Sequence, residues 1–248
     1  MKAMGAVWRL LRGLGHLLVG LWIIQTRFHR LSPAHQQAHV QIWSQQLLAL
    51  WRIRIEVRGD PVTSGPALLV ANHISWLDIV VMHAARYCRF VSKADVKDWP
   101  VVGALATGAG TLYVQRESRR DAMRVVHHMV DALRAGEVVA VFPEGTTSDG
   151  LHLLPFHANL IQAAISAPAP VQPVALRFLD ARTGLTSLAP CYIGDDSLLR
   201  SVWRTLTTPE IVATVTYGTP QTADGRDRRS WAADLRASVD ALRTDIAI

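Results

Sequence analysis

Two short apolar runs, each ending in a cluster of polar residues, constrain this chain more than anything else in it. Ala67-Leu68-Leu69-Val70 runs into Ala71-Asn72-His73-Ile74-Ser75-Trp76-Leu77-Asp78. Val138-Val139-Ala140-Val141-Phe142 runs into Pro143-Glu144-Gly145-Thr146-Thr147-Ser148-Asp149-Gly150. Apolar runs of this length, bounded by turn formers, read as buried strands. The unbroken apolarity of the second marks a central, parallel strand covered on both faces. Helical patterns follow both turns. The fold class expected is therefore α/β, with a mixed, largely parallel sheet flanked by helices. In such folds the strand ends open into crevices where chemistry collects.

The rest of the chain fits that frame. Strands are expected over 53–57, 89–92, 110–116, 171–176 and 211–217. Helices are expected over 76–87, 99–107, 118–136, 156–167, 198–206 and 230–243. Pro173 inside a strand calls for an end, an edge or a bulge. The chain has 248 residues, half of them hydrophobic, enough for one sizeable core. Two cysteines, Cys88 and Cys191, make no disulfide framework and fit a reducing compartment. The sequence has no C-x-x-C or H-E-x-x-H, so no metal site is expected.

The net charge of +6 is local. Residues 1–58 carry eight Lys or Arg against one acid, Glu56, while the remaining 190 carry 18 against 19. The basic part is interleaved with Leu, Val, Ile and Trp, which favours a membrane surface over nucleic acid. Residues 4–24 read as an amphipathic helix with Arg9, Arg12 and His16 on one polar stripe. The stretch free of Lys and Arg, 13–24, is shorter than the roughly 20 residues a span needs. An in-plane helix is expected, with a tilted span as the alternative. No small-x-small cleavage site follows, so the segment is expected to be retained. Ser32-Pro33 opens a second amphipathic helix to about Trp51. Residues 1–52 thus form a membrane-docking helical segment and residues 53–248 the main domain.

Asn72-His73-x4-Asp78 has two readings. A histidine can take a proton from a hydroxyl while a carboxylate fixes its tautomer. Alternatively, Ser75-x-x-Asp78 is a capping box that starts the next helix. Ten His and 15 Asp produce about 0.6 such H-x4-D pairs by chance, so the pair alone decides nothing. Arg116 sits just before a helix expected to start at a second box, Ser118-x-x-Asp121. A helix N-terminus with an adjacent arginine suits an anion. The Glu144-Gly145-Thr146 turn presents a carboxylate and hydroxyls that suit a polyol or phosphate, though turn formers alone explain it as well.

In order along the chain, Asn72-His73-x4-Asp78, Gly110-x-x-Tyr113-Val114-x-Arg116, Phe142-Pro143-Glu144-Gly145-Thr146 and Val171-Gln172-Pro173-Val174-Ala175 resemble the motifs of the glycerolipid acyltransferase family, and within it the 1-acylglycerol-3-phosphate acyltransferases. The resemblance implies a glycerol-3-phosphate acyltransferase-like fold. It implies transfer of a fatty acyl group from acyl-CoA or acyl carrier protein to the free hydroxyl of a lysophospholipid, giving phosphatidic acid when the acceptor is lysophosphatidic acid. No cofactor is implied, and the enzyme would work at the cytoplasmic face of the inner membrane. By the same resemblance His73 is the general base, Asp78 orients it, and Arg116, Glu144, Gly145 and Thr146 bind the acceptor's glycerol-phosphate end. Pro173 would shape the site. The absence of a G-x-S-x-G elbow agrees with direct transfer from an already activated thioester. One departure stands out: the family often has arginine after E-G-T, and this chain has Thr147. Arg116 or Lys93 would then compensate, or the acceptor would be another lysolipid such as a lyso-ornithine lipid. A non-catalytic lipid-binding protein on the same scaffold is the reading from another class.

Overall fold

The computed structural model describes residues 2–114 and 119–244. Two helices come first, α1 (Lys2–Thr26) and α2 (Pro33–Leu50), joined by a 3₁₀ turn at Phe28–Arg30. Then follow β1 (Ile53–Arg58), β2 (Ala67–Ala71), α3 (Leu77–Ala85), β3 (Arg89–Lys93), α4 (Val102–Gly108) and β4 (Leu112–Val114). The chain continues through α5 (Arg119–Arg134), β5 (Val138–Val141), α6 (Ala158–Ser166), β6 (Val171–Asp180), α7 (Leu198–Thr207), β7 (Ile211–Tyr217) and α8 (Arg228–Thr244).

The strands form one sheet in the order β1-β7-β6-β2-β5-β3-β4. Every neighbouring pair is parallel except β6 and β7, the mixed, largely parallel sheet expected from the sequence. The two apolar runs, β2 and β5, lie side by side in the middle. Alternation along β2 sends Leu68 and Val70 to the core under α5, α6 and α8, with Met129, Ile161 and Trp231. It sends Leu69 and Ala71 to the opposite core, with Leu48, Leu77, Met82 and Phe90.

Pro173 lies inside an interior strand, yet the irregularity it requires is present. Val174 pairs with Tyr217 and Val171 with Gln221, so three steps on β6 face four on the other side. The Gly218 N–H donates to the Pro173 carbonyl across that bulge. Two helices start later than the sequence pattern implies. Pro100 forces Trp99 to extended geometry, and α4 begins only at Val102. His157 donates its N–H to the Pro143 carbonyl, which holds it extended and delays α6 to Ala158.

Helix α1 turns Arg9 and His16 of its expected polar stripe toward the protein and leaves Arg12 exposed. The face it presents to the protein is small: Ala6, Gly13 and Gly20, at seven-residue spacing, are buried. The Trp51 ring packs on Gly13 and the Trp43 ring on Gly20, each so close that a Cβ would stand 2.4 and 2.6 Å from the indole nitrogen. Arg9 donates to the carbonyls of Leu206 and Thr208 at the end of α7, and His16 stacks on Trp43 at 5.0 Å. Farther along, Ile24 closes on Gly108 of α4. The large residues Met4, Trp8, Leu11, Leu14, Leu18 and Trp22 point outward and are exposed. By length and composition α1 could cross a membrane, but it packs on the protein from Ala6 to Ile24. Helix α2 starts as expected, with Ser32 accepting from the His35 N–H and Pro33 in the first turn. Its Leu47 and Leu48 are core residues rather than lipid-facing ones.

Candidate active site

The site is built on the turn between β2 and α3. Asn72, at the end of β2, is fully buried and continues the sheet with its side chain. Its amide nitrogen donates to the Leu176 carbonyl at 3.1 Å, and its oxygen accepts the Leu176 N–H at 2.7 Å. Both ends of a backbone ladder step are thereby satisfied where β2 stops being a strand. The chain can then turn without leaving β6 unpaired.

Asp78 holds the turn from the helix side. It is fully buried, and its Oδ2 accepts three bonds: from His73 Nδ1 at 2.8 Å, the Ile74 N–H at 2.6 Å and the Ser75 N–H at 2.9 Å. The His–Asp pair and the capping box therefore coexist in one carboxylate. The helix proper begins at Leu77, yet the Ser75 hydroxyl accepts the Leu77 N–H as a cap would, and donates to the Pro190 carbonyl. A carboxylate at Nδ1 accepts only, so the proton resides on Nδ1 and the lone pair on Nε2. Among the described residues Nε2 has no partner. The ring is stacked on Phe142 at 4.0 Å, and about a fifth of the side chain is exposed.

Glu144 supports the turn from β5. It is almost fully buried, and both of its oxygens are engaged: Oε1 accepts the His73 N–H at 2.7 Å and Oε2 the Leu154 N–H at 2.8 Å. Burial raises its pKa above the usual carboxylate range, and the bonds from Leu154 and His73 oppose that. The structure thus places Glu144 beneath the histidine, where it fixes the backbone. Gly145 follows with φ +72°, and a Cβ there would lie 3.0 Å from the His157 ring, so the position takes glycine. Thr146 is exposed on the loop. The Thr147 hydroxyl donates to the Tyr192 carbonyl. Lys93 is exposed at the end of β3. Arg116 and Ser118 lie outside the described residues.

Backbone N–H groups of the 72–78 turn would have been natural donors to a developing oxyanion. Those of His73, Ile74 and Ser75 are instead committed to the two carboxylates. The sequence also gave no signal for the segment 189–192, which forms a third wall. The Tyr192 N–H donates to the Ile74 carbonyl, Trp76 Nε1 donates to the Ser201 hydroxyl, and that hydroxyl bonds the carbonyls of Pro190 and Cys191. Both cysteines are buried, and burial raises their thiols, that of Cys191 to about 11. Neither is a ready nucleophile at neutral pH. Among the described residues no group of His, Cys, Asp and Glu could hold a metal ion.

The profile of a family described as Acyltransferase matches residues 54–177. A 1-acyl-sn-glycerol-3-phosphate acyltransferase of Neisseria meningitidis serogroup B is 38% identical over 204 residues, 81% of this chain and 79% of that protein. A lyso-ornithine lipid O-acyltransferase of Pseudomonas aeruginosa is 35% identical over 209 residues, 84% of this chain and 79% of that protein. The crystal structure of the 1-acyl-sn-glycerophosphate acyltransferase PlsC from Thermotoga maritima superposes with a TM-score of 0.65 at 17% identity. It covers 97% of this chain and all of that one, a likeness of fold.

Proposed function

The chain belongs to the acyltransferase family, and on that premise we propose that it moves a fatty acyl group from an acyl thioester to the free hydroxyl of a lysolipid. The observation that carries this reading is the His73 Nδ1 to Asp78 Oδ2 bond at 2.8 Å, which leaves Nε2 as the base. Nε2 takes the hydroxyl proton as the oxygen attacks the thioester carbonyl. Asp78 stabilises the imidazolium that forms, and the thiol leaves with a proton returned from it. General base catalysis of this kind supplies roughly 10²–10⁴-fold. The N–H groups of Thr146 and Thr147, without partners among the described residues, are the donors left for the carbonyl oxygen as charge develops. Glu144 and Asn72 position the turn. No cofactor enters, and the raised thiols of Cys88 and Cys191 favour direct transfer over a covalent acyl-enzyme.

Lysophosphatidic acid, acylated at its sn-2 hydroxyl to phosphatidic acid, is the first acceptor to test, with acyl-CoA or acyl carrier protein as donor. Thr147 favours a second, a lyso-ornithine lipid. Its hydroxyl is tied to the Tyr192 carbonyl, where the resembled family often has arginine. Four lyso-ornithine lipid O-acyltransferases are 35–40% identical to this chain. The outward apolar face of α1 supports attachment in the plane of the bilayer's cytoplasmic face, with the exposed Arg12 and Arg30 near headgroups. Purified protein incubated with acyl-CoA or acyl carrier protein donors and a panel of lysolipids, with products resolved by mass spectrometry, tests the reading. Acylated lysophosphatidic acid or acylated lyso-ornithine lipid is expected. No acylated product from any lysolipid would contradict it.

A further inference from the structure

Two arginines, Arg177 of β6 and Arg243 of α8, line one cavity, and among the described residues no carboxylate pairs with both. Desolvation, together with the positive charges of Arg243 and, from β1, Arg58, lowers the pKa of Arg177. Arg58 has Glu56 at 3.6 Å. Arg243 is pinned in place: its Nη1 donates to the carbonyls of Gly150 and Leu151, its Nη2 to Asp240, and among the described residues its buried Nε has no partner. Among the described residues the Arg177 side chain makes no hydrogen bond and no ion pair. A partly buried arginine facing other cations is unfavourable unless an anion joins it.

Arg177 and Arg243 line a cavity of about 200 Å³, together with Ile74, Asp149, Gly150 and Thr186. Two of its walls belong to the catalytic apparatus. Ile74 directly follows His73, and its side chain packs on Gly150, near enough that a Cβ there would meet it at 2.9 Å. Asp149 and Gly150 end the loop that begins at Glu144, and within that loop the Ser148 N–H donates to the His73 carbonyl at 2.9 Å.

We propose that this cavity receives the oxyanion, carboxylate or phosphate, of the acceptor's head group, with Arg177 as its principal contact and Arg243 as a fixed second cation. The inference rests on the acyltransferase reading above and supplies the anion ligand that Thr147 does not. Arg177 offers two adjacent N–H donors to one oxyanion. Asp149 keeps its Oδ1 on the Leu151 N–H and places a carboxylate on the same wall. That favours a head group with an ammonium near its oxyanion over a bare phosphate.

Calorimetric titration of the full chain in detergent micelles with glycerol 3-phosphate and with Nα-acetylornithine tests the site without turnover. KM and kcat for lysophosphatidic acid and lyso-ornithine lipid are measured in parallel. In Arg177→Gln, binding of the accepted probe weakens by about 10- to 100-fold, the range for one charged hydrogen-bond pair. The acceptor KM rises by a similar factor, while kcat and the donor KM stay within about twofold, the pattern of lost uniform binding. Arg177→Lys recovers part of the loss. The preferred probe names the oxyanion as phosphate or carboxylate. Unchanged probe binding and acceptor KM in Arg177→Gln would remove the site and leave the acyltransferase reading intact. Probe binding lost in Arg177→Gln by a protein that acylates no lysolipid would keep the site and sink that reading.

Discussion

The 72–78 turn and helix α1 solve opposite problems. In the turn the backbone donors of residues 73–75 are spent inward: three N–H groups and one ring nitrogen converge on two buried carboxylates, and the open polar atom left on His73 is Nε2. In α1 the small Ala6, Gly13 and Gly20 and the cation Arg9 face the protein, while the large Met4, Trp8, Leu11, Leu14, Leu18 and Trp22 are left outside. A helix that docked in water would do the reverse, as α8 does by burying Trp231, Leu235 and Val239. The turn is organised to place one atom, and α1 to place a surface. Substitutions in the first should change chemistry without changing where the protein sits, and substitutions in the second should do the opposite.

The largest effect that separates them is expected from Asp78→Ala. It leaves the His73 ring unanchored and the Ile74 and Ser75 N–H groups buried without acceptors. Acyl transfer should fall by roughly 10²–10⁴-fold. Chemical denaturation should show a loss of about 2–5 kcal/mol, the cost of orphaning buried donors. Vesicle binding by the remaining folded protein should not change. A variant that loses vesicle binding along with activity would erase the distinction.

On the α1 side, Leu11, Leu14 and Leu18 replaced together by Gln should lower partitioning onto anionic vesicles by about 10³-fold or more, since each leucine inserted into lipid is worth about 1.5–3 kcal/mol. Turnover of micelle-dispersed substrate should remain near wild type. Flotation assays read the first quantity and thioester consumption the second.

A smaller and sharper effect concerns the inner face of α1. Gly13→Ala puts a methyl 2.4 Å from Trp51 Nε1, and relieving that overlap should cost about 1–3 kcal/mol of stability, seen as a lower Tm. Gly15→Ala, where a Cβ meets nothing, should cost nothing measurable.

A further effect is a pH dependence in α3, the helix that carries Asp78. Burial lowers the pKa of His83 from the usual 6.5 to about 4, and its Nε2 bonds the Cys88 carbonyl at 3.0 Å. The unfolded chain takes up a proton near pH 6.5 that the folded chain refuses until about pH 4, so stability is lost as pH falls across that window. His83→Gln should flatten the slope of Tm between pH 6.5 and 4.

How much of this was legible depends on which link of the chain is asked about. The two central strands and their polar ends could be read from apolar runs, because burial on both faces leaves an unbroken pattern. The pairing of His73 with Asp78 could be posed but not decided, since one carboxylate serves as both cap and partner. Glu144 read as a ligand because its bonds to the N–H groups of His73 and Leu154 are tertiary. The Arg9, Arg12 and His16 stripe was visible, but periodicity says only that a helix has two faces. Which one meets the protein depends on whether the other side is water or lipid. The seven-residue spacing of Ala6, Gly13 and Gly20 was the available clue, since only small residues admit the rings of Trp43 and Trp51.

The central claim is that His73 Nε2 is the base of an acyl transfer. Its most direct test is the rate of acyl-thioester consumption by purified wild type and His73→Ala, in micelles containing the preferred lysolipid, at matched Tm. The account predicts steady acceptor-dependent turnover by the wild type and a rate lower by roughly 10²-fold or more in the variant. A His73→Ala protein that acylates the lysolipid at the wild-type rate would contradict it.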